Sequence, residues 1–121
     1  VVCGVMIAAL TLLLPFTMAL AFTAGFAGMY LLYEVTHKRY HSRDPLAPVF
    51  LVLRKHHFYH HFHNPKKNHG VTTRLWDRVF GTFVRVEMVT VPPKLSMPWL
   101  MEEEEIKEAY QQHFRLAVVK R

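Results

Sequence analysis

The first 33 residues contain no Asp, Glu, Lys, Arg or His, and the first charged residue is Glu34. A transmembrane helix needs about 20 consecutive apolar residues, so an uncharged apolar run of this length predicts insertion into a membrane. A secretory signal peptide fits poorly, because it begins with basic residues and has an apolar stretch of only about 7–15 residues. The run therefore predicts an integral membrane protein.

Pro15 interrupts the apolar run near its middle. Proline lacks a backbone N–H and kinks or ends a helix, so we expect residues 1–14 to be the remnant of one span. A second, nearly complete span then begins at Phe16, and one long kinked helix is the alternative. The chain starts with Val1 inside an apolar run, which indicates a piece of a longer membrane protein.

The net charge is +6, and positive charge is concentrated after the apolar run, where residues 38–94 contain eleven of the 15 Lys and Arg. Basic residues next to a membrane span favour the cytoplasmic side, where they face anionic head groups. No nucleic-acid-binding motif accompanies them, so we expect no nucleic-acid partner. The single cysteine, Cys3, excludes an intrachain disulfide and a thiolate metal site.

Beyond the second span the pattern predicts three further helices, which are residues 49–63, 74–80 and 102–115. Pro45 and Pro48 separate the first of these from the span. Thr72 or Thr73 can cap the second, which ends at Gly81. The third is amphipathic and begins with four acidic residues, which suit a helix N-terminus and form a solvated face.

The predicted architecture is an all-α integral membrane protein in three parts. Residues 1–41 form transmembrane helices that end in a pair of histidines. Residues 42–83 form a helical, histidine-rich cap at the cytosolic membrane face. Residues 84–121 form an irregular C-terminal tail with the amphipathic helix, preceded by an extended or irregular stretch over residues 82–91.

Seven of the nine histidines fall into two clusters at helical spacing, which are His37 and His41, and then His56, His57, His60, His61 and His63. Neutral imidazole is the commonest side-chain metal ligand, and residues three or four apart share a helix face. Two faces of the second cluster fit a site, either His57, His60 and His61 or His56, His60 and His63. A surface tract that binds metal loosely is the alternative.

The other common metal and catalytic motifs are absent from the sequence. No cysteine cluster or His-Glu-x-x-His occurs, so zinc-finger and zincin protease sites are not supported. Nothing indicates a nucleophilic triad. Carboxylates near the histidines are few (Glu34, Asp44 and Asp77), so an all-histidine or nearly all-histidine site is favoured over a carboxylate-bridged one.

Three segments carry a resemblance to a known family, namely His37-x-x-x-His41, His57-x-x-His60-His61, and Trp76-Asp77-Arg78-x-Phe80-Gly81-Thr82. Their order, spacing and position after the apolar run resemble the C-terminal half of the fatty acid hydroxylase superfamily, also called the sterol desaturase family. The resemblance covers roughly residues 22–100, and the tail is similar to bacterial members. The third segment favours this family over acyl-CoA desaturases and alkane hydroxylases.

The resemblance implies a multi-pass enzyme of the bacterial inner membrane or endoplasmic reticulum, with its histidines on the cytoplasmic side. Such an enzyme holds two metal ions, which we expect to be iron, with zinc as the alternative. It uses O2 and electrons from a donor protein to hydroxylate or desaturate a lipid that enters from the bilayer. The lipid could be a fatty acid, a sphingolipid or a sterol.

Carried onto this sequence, the resemblance implies five metal ligands and no further catalytic residue; these ligands are His37, His41, His57, His60 and His61. It leaves His56 and His63 as supporting residues behind the ligands. Asp77 could hydrogen-bond a ligand histidine or pair with Arg74 or Arg78. His69 stands where the family carries an aromatic residue, and a loop role is expected for it.

The family has two earlier histidine segments, whereas this sequence has no histidine before His37. We therefore expect a C-terminal portion that is inactive alone, because half of the ligand set is missing. The alternative function is a non-catalytic, membrane-anchored metal-binding or scaffold segment. The sequence upstream of Val1 would discriminate between the two.

Overall fold

The computed structural model describes residues 1–118. Its helices are α1 (Val2–Leu10), α2 (Phe16–Ser42), α3 (Pro48–Phe62) and α4 (Leu75–Val79). Its strands are β1 (Val89–Val91), β2 (Met101–Glu102), β3 (Glu105–Ile106) and β4 (Phe114–Leu116), and the segments Pro93–Leu95 and Glu108–Tyr110 are short 3-10 helices. Two compact units result, Val1–Val35 and the part of the chain from Thr36 onward.

The apolar run forms two helices that are separated at Pro15. α1 ends at Leu10, and α2 begins directly after the proline, whose carbonyl accepts hydrogen bonds from the N–H groups of Met18 and Ala19 at 2.9 and 3.0 Å. The alternative of one long kinked helix is therefore wrong. Within residues 1–118, α2 is the one helix long and apolar enough to cross a membrane.

α3 begins at Pro48, where the missing N–H costs no hydrogen bond because the first helical N–H groups have no partner within the helix. One side of α3 is buried against the core of the second unit, and Phe58 is fully buried there. The other members of this core are Tyr40, Val71, Val89, Val91, Met97, Trp99, Leu100, Ile106 and Phe114. The C-terminal tail therefore supplies much of the packing behind α3.

Two small sheets organise the tail. β1 and β4 pair in parallel, with Val89 opposite Phe114, and β2 and β3 pair as an antiparallel hairpin. Glu103, between the hairpin strands, has a φ of 56°, a conformation that turns the chain sharply. The extended or irregular backbone expected over residues 82–91 is confirmed, since it contains no helix and ends in β1.

The amphipathic helix predicted over residues 102–115 is wrong, and the tail is not all-α. This segment contains β3, a 3-10 turn and the start of β4. Ile106, Tyr110 and Phe114 recur every four residues, which is a helical spacing. In the structure Ile106 and Phe114 are buried from two different strands instead, because pairing with β1 and β2 places them in the core.

Candidate metal centre

Two pairs of histidines face each other at the end of α2 and along α3. His37 and His41 lie one turn apart on α2, and His57 and His61 lie one turn apart on α3. One ring nitrogen of each lies within 4.8 Å of those of the other three. Four of the five predicted ligands therefore converge at one point.

The closest approach in this cluster is 3.4 Å, between Nε2 of His41 and Nε2 of His57. Two imidazole nitrogens bound to one tetrahedral ion at about 2.0–2.1 Å would be separated by about 3.3–3.4 Å. The spacing of these two nitrogens therefore fits ligands that share one metal ion.

His57 is the most deeply buried member, with 2% of its surface exposed. Burial lowers its pKa to about 2, helped by the neighbouring imidazoles of His61, His37, His41 and His60. The pKa of His61 is lowered as well, again chiefly by burial. Both rings are therefore neutral at pH 7, which is the form that binds metal.

Nδ1 of His57 is buried and has no hydrogen-bond partner among residues 1–118. Leaving such a group unpaired typically costs about 1–3 kcal/mol. A buried, neutral imidazole whose Nε2 lies beside the ring nitrogens of three other histidines suits a metal ion better than a packed core. The donor set thus fits the ion that the sequence predicts.

His60 lies beside this cluster. Its Nδ1 is 2.9 Å from the carbonyl oxygen of Lys67. A carbonyl only accepts, so Nδ1 is the donor of this hydrogen bond. Metal-binding histidines commonly donate their other N–H to a carbonyl in this way. The ring of His60 also lies 4.9 Å from the ring of His69, centroid to centroid.

The competing helix face is not assembled. Nε2 of His56 lies 2.7 Å from the carboxylate of Asp77, and Nε2 of His63 accepts a hydrogen bond from the Thr90 N–H at 3.0 Å. His63 also stacks on Tyr59. These two histidines therefore connect α3 to later parts of the chain, and they do not join His60.

Asp77 holds the loop between α3 and α4 together. Its buried carboxylate accepts hydrogen bonds from the Thr82 hydroxyl at 2.6 Å and from the N–H groups of His69 and Gly70 at 2.9 and 2.8 Å. Burial alone would raise the pKa of Asp77, but the hydrogen bonds from Thr82, His56 and the loop backbone outweigh it and lower the pKa well below its usual range.

Neither partner predicted for Asp77 is observed, because its side-chain partner on α3 is His56 and no ion pair joins it to Arg74 or Arg78 within residues 1–118. Gly70 is required beside it. A Cβ at this position would lie 2.0 Å from the Thr73 carbonyl oxygen and 2.9 Å from the Asp77 carboxylate.

Sequence reasoning missed Asn68, which closes the same loop. It is fully buried with a φ of 55°. Its side-chain nitrogen donates to the Val84 carbonyl at 3.0 Å, and its side-chain oxygen accepts from the Val84 N–H at 2.7 Å. An asparagine two residues before a glycine could have indicated it, since asparagine tolerates positive φ and bonds to nearby backbone.

Comparison with known proteins places this geometry in context. A family model described as fatty acid hydroxylase matches residues 1–82. Dihydroceramide fatty acyl 2-hydroxylase FAH2 of Arabidopsis thaliana is 42% identical over 62 residues, which cover 51% of this chain and 26% of that protein. Fatty acid 2-hydroxylase of Homo sapiens is 37% identical over 83 residues, covering 67% and 22%.

The ceramide very long chain fatty acid hydroxylase SCS7 of Saccharomyces cerevisiae is 41% identical over 64 residues, covering 50% of this chain and 16% of that protein. The chain thus spans about a quarter or less of the length of these relatives. No solved structure matches it. The family match extends over more than half of the chain and includes all five predicted ligands, so this chain belongs to the fatty acid hydroxylase family.

Proposed function

We propose that this chain is the metal-binding C-terminal part of a membrane-bound, O2-dependent lipid hydroxylase. The observation that carries this proposal is the convergence of four histidine nitrogens within 4.8 Å in a member of the fatty acid hydroxylase family. Relatives are named for hydroxylating fatty acids or the fatty acyl group of ceramides. We therefore infer that the substrate is a fatty acyl chain and that the reaction is hydroxylation rather than desaturation.

Imidazole binds both iron and zinc. We infer iron, because oxidation of a C–H bond by O2 needs a metal that changes oxidation state, which zinc does not. When bound, iron would supply the redox chemistry by which O2 oxidises a C–H bond. His37, His41, His57 and His61 would hold one ion. His60, whose Nδ1 faces the Lys67 carbonyl, would serve a second ion.

The chain's own residues would orient these ligands. The Lys67 carbonyl fixes the tautomer of His60, and burial keeps His57 neutral and ready to bind. The bond from His56 to Asp77 ties the backbone of α3 to the following loop. Each contact would restrict the histidine side chains before the metal binds, so that less conformational entropy is lost on binding.

The length of α2 would place the centre at the membrane surface. Residues 16–33 of this helix rise about 27 Å, close to the thickness of a bilayer core of about 30 Å. His37 and His41 would then emerge just beyond the hydrocarbon, so that a lipid could reach the metal from the bilayer. The basic residues that follow favour the cytoplasmic face, where an electron-donor protein would bind.

The test uses the full-length parent protein with His57→Ala and His61→Ala, and with His63→Ala as the matched control. Because His57 and His61 belong to the converging set, each change should remove bound iron and lower acyl hydroxylation by about 100-fold or more. His63→Ala should stay within about threefold of the parent, since its ring bonds to Thr90 and not to the cluster. Metal content is measured by elemental analysis and the hydroxylated product by mass spectrometry.

Unchanged metal content and turnover in both ligand variants would refute this assignment. A parent protein that binds zinc, and oxidises no fatty acid or ceramide with O2 and a reductant, would instead support the non-catalytic metal-binding function.

A further inference from the structure

A cavity of about 640 Å³ lies in the second unit, away from the four converging histidines. Its walls are formed by residues of α3, by Arg74 and Arg78 at α4, by residues 83–87 and by Gln112 and His113 of the tail. Four permanent cations line it, namely Lys55, Arg74, Arg78 and Arg85, and Glu87 is the one carboxylate among the lining residues. A concave site with this balance of charge favours an anion.

Arg74 and Arg78 are held at the wall by an aromatic ring and not by a carboxylate. Their guanidinium carbons lie 6.0 and 5.0 Å from the centre of the Phe83 ring, which is within range of a cation–π contact. Neither forms an ion pair in the described part of the chain. Their N–H groups therefore remain available for a planar, bidentate acceptor such as phosphate.

Lys55 is anchored in a similar way. Its ammonium group donates to the backbone carbonyl of Glu87 at 3.3 Å and lies 3.2 Å from Nδ1 of His113. The Glu87 carboxylate lies 4.0 Å from Nε of Arg85, and both of these side chains are about 85% exposed. It attracts the charge of Lys55 but forms no ion pair with it within residues 1–118, so the third N–H of the ammonium group can reach a ligand.

The remaining walls include apolar side chains, among them Val52, Val84 and Val86. The volume lies within the range of about 300–1,000 Å³ that is usual for small-molecule sites. A concave, half-open volume lined by four cations and one carboxylate suits a small anionic group. Apolar walls beside the cations suit a phosphate that carries an organic substituent.

We propose that this cavity binds the phosphate group of a phosphorylated ligand through Lys55, Arg74 and Arg78. The ligand could be the head group of an anionic phospholipid or a soluble phosphate ester, since both present the same oxygens. None of the converging histidines lines the cavity, so phosphate binding should persist in the His61→Ala variant even when that variant has lost its metal.

The experiment compares full-length parent protein in detergent with R74Q/R78Q and with the charge-matched control K66Q/K94Q, whose lysines lie outside the cavity. Each protein is titrated separately with short-chain phosphatidic acid, inorganic phosphate and phosphatidylcholine of the same chain length, and the dissociation constants are measured by thermophoresis. We expect phosphatidic acid to bind the parent and the control equally well. We expect R74Q/R78Q to bind it at least tenfold more weakly.

Two further variants keep the result interpretable. R74K/R78K retains both charges and should recover part of the affinity, while the exposed Arg78→Gln change alone should weaken binding without altering the melting temperature. Competition by inorganic phosphate at a similar concentration would support the site and indicate a soluble ligand. Failure of inorganic phosphate to compete with phosphatidic acid would support it and indicate a phospholipid.

Equal binding of phosphatidic acid by the parent and R74Q/R78Q would overturn the proposal. So would a parent protein that binds neither phosphatidic acid nor inorganic phosphate. Loss of affinity for an acidic redox protein in R74Q/R78Q, with no phosphate binding by any form, would likewise overturn it and assign the cations to a protein interface.

Discussion

At the scale of single residues, Arg54 shows how a charge can be buried without a carboxylate. Only 1% of its surface is exposed. Its guanidinium lies between the rings of Tyr40 and Trp99, 5.2 and 4.7 Å from their centres, and donates to the Arg43 carbonyl. The planar group therefore joins the end of α2, the middle of α3 and the tail.

Arg54→Lys keeps the charge but removes the flat, delocalised surface that stacks on two rings. We expect it to lower the free energy of unfolding by about 1–3 kcal/mol, because a compact ammonium stacks poorly and is costly to bury. The exposed Arg43→Lys change is the matched control and should stay within about 0.5 kcal/mol of the parent. Chemical denaturation measures both, and equal stability of the two variants would contradict this account.

The histidines show how far single residues could be predicted from the sequence. Helical spacing limited the ligands on α3 to two faces, and the structure assembles a cluster from only one of them. The deciding contacts come from Asp77 and Thr90, which bond His56 and His63 from 21 and 27 residues away. Spacing along one helix contains no information on partners so distant in sequence.

At the scale of elements, the loop between α3 and α4 depends on one carboxylate. Asp77 receives hydrogen bonds from His56, Thr82 and the backbone of residues 69 and 70. This loop also presents the Lys67 carbonyl to His60. A change at Asp77 should therefore be detected both in the free energy of unfolding and at His60.

Asp77→Asn replaces one acceptor oxygen with an NH2 group that faces donors. We expect a loss of about 2–4 kcal/mol in the free energy of unfolding, because buried donors are left unpaired. Thr82→Val removes only one of these hydrogen bonds and should cost about 1 kcal/mol. Thermal or chemical denaturation of the full-length protein measures both changes, and a smaller effect for Asp77→Asn than for Thr82→Val would rule out its central role.

The lowered pKa of Asp77 predicts that the free energy of unfolding depends on pH. Its pKa in the folded protein is lowered below the usual value of about 3.9, so the unfolded chain takes up the proton first on acidification. The stabilisation is complete above about pH 5 and is lost as the pH falls below about 4. Denaturation at pH 5, 4 and 3 should show this loss in the parent and a smaller one in Asp77→Asn; parallel curves would contradict it.

Helices could be predicted where local sequence signals determine the backbone conformation. They could not be predicted where pairing with a distant strand determines it. Proline at the start of α3 and Gly81, with a φ of 68° after α4, mark boundaries that the sequence displays. Over residues 102–115 a helical spacing of apolar residues was present as well. There the backbone pairs with β1 and β2 instead, and pairing with strands up to 25 residues away is not visible in a local pattern.

At the scale of the whole molecule, the tail is part of the support for the histidine cluster. The core joins Tyr40 of α2 and Phe58 of α3 to Trp99 and Phe114 of the tail. The Phe114 ring lies 6.2 Å from that of Phe58 and 6.0 Å from that of Trp99. Because Phe58 directly follows His57, the position of His57 depends on a residue more than fifty positions later in the chain.

Phe114→Ala should therefore affect stability and metal binding together. Removing a fully buried phenylalanine should lower the free energy of unfolding by about 3–5 kcal/mol. Bound metal should fall as well, since the cavity left behind loosens the packing against α3. Phe114→Leu keeps most of the volume and should cost less than half as much, while Val118→Ala, at a side chain 90% exposed, should be neutral. Denaturation and elemental analysis of the full-length protein measure both effects, and a destabilised Phe114→Ala protein with unchanged metal content would show that the tail supports the fold without positioning His57.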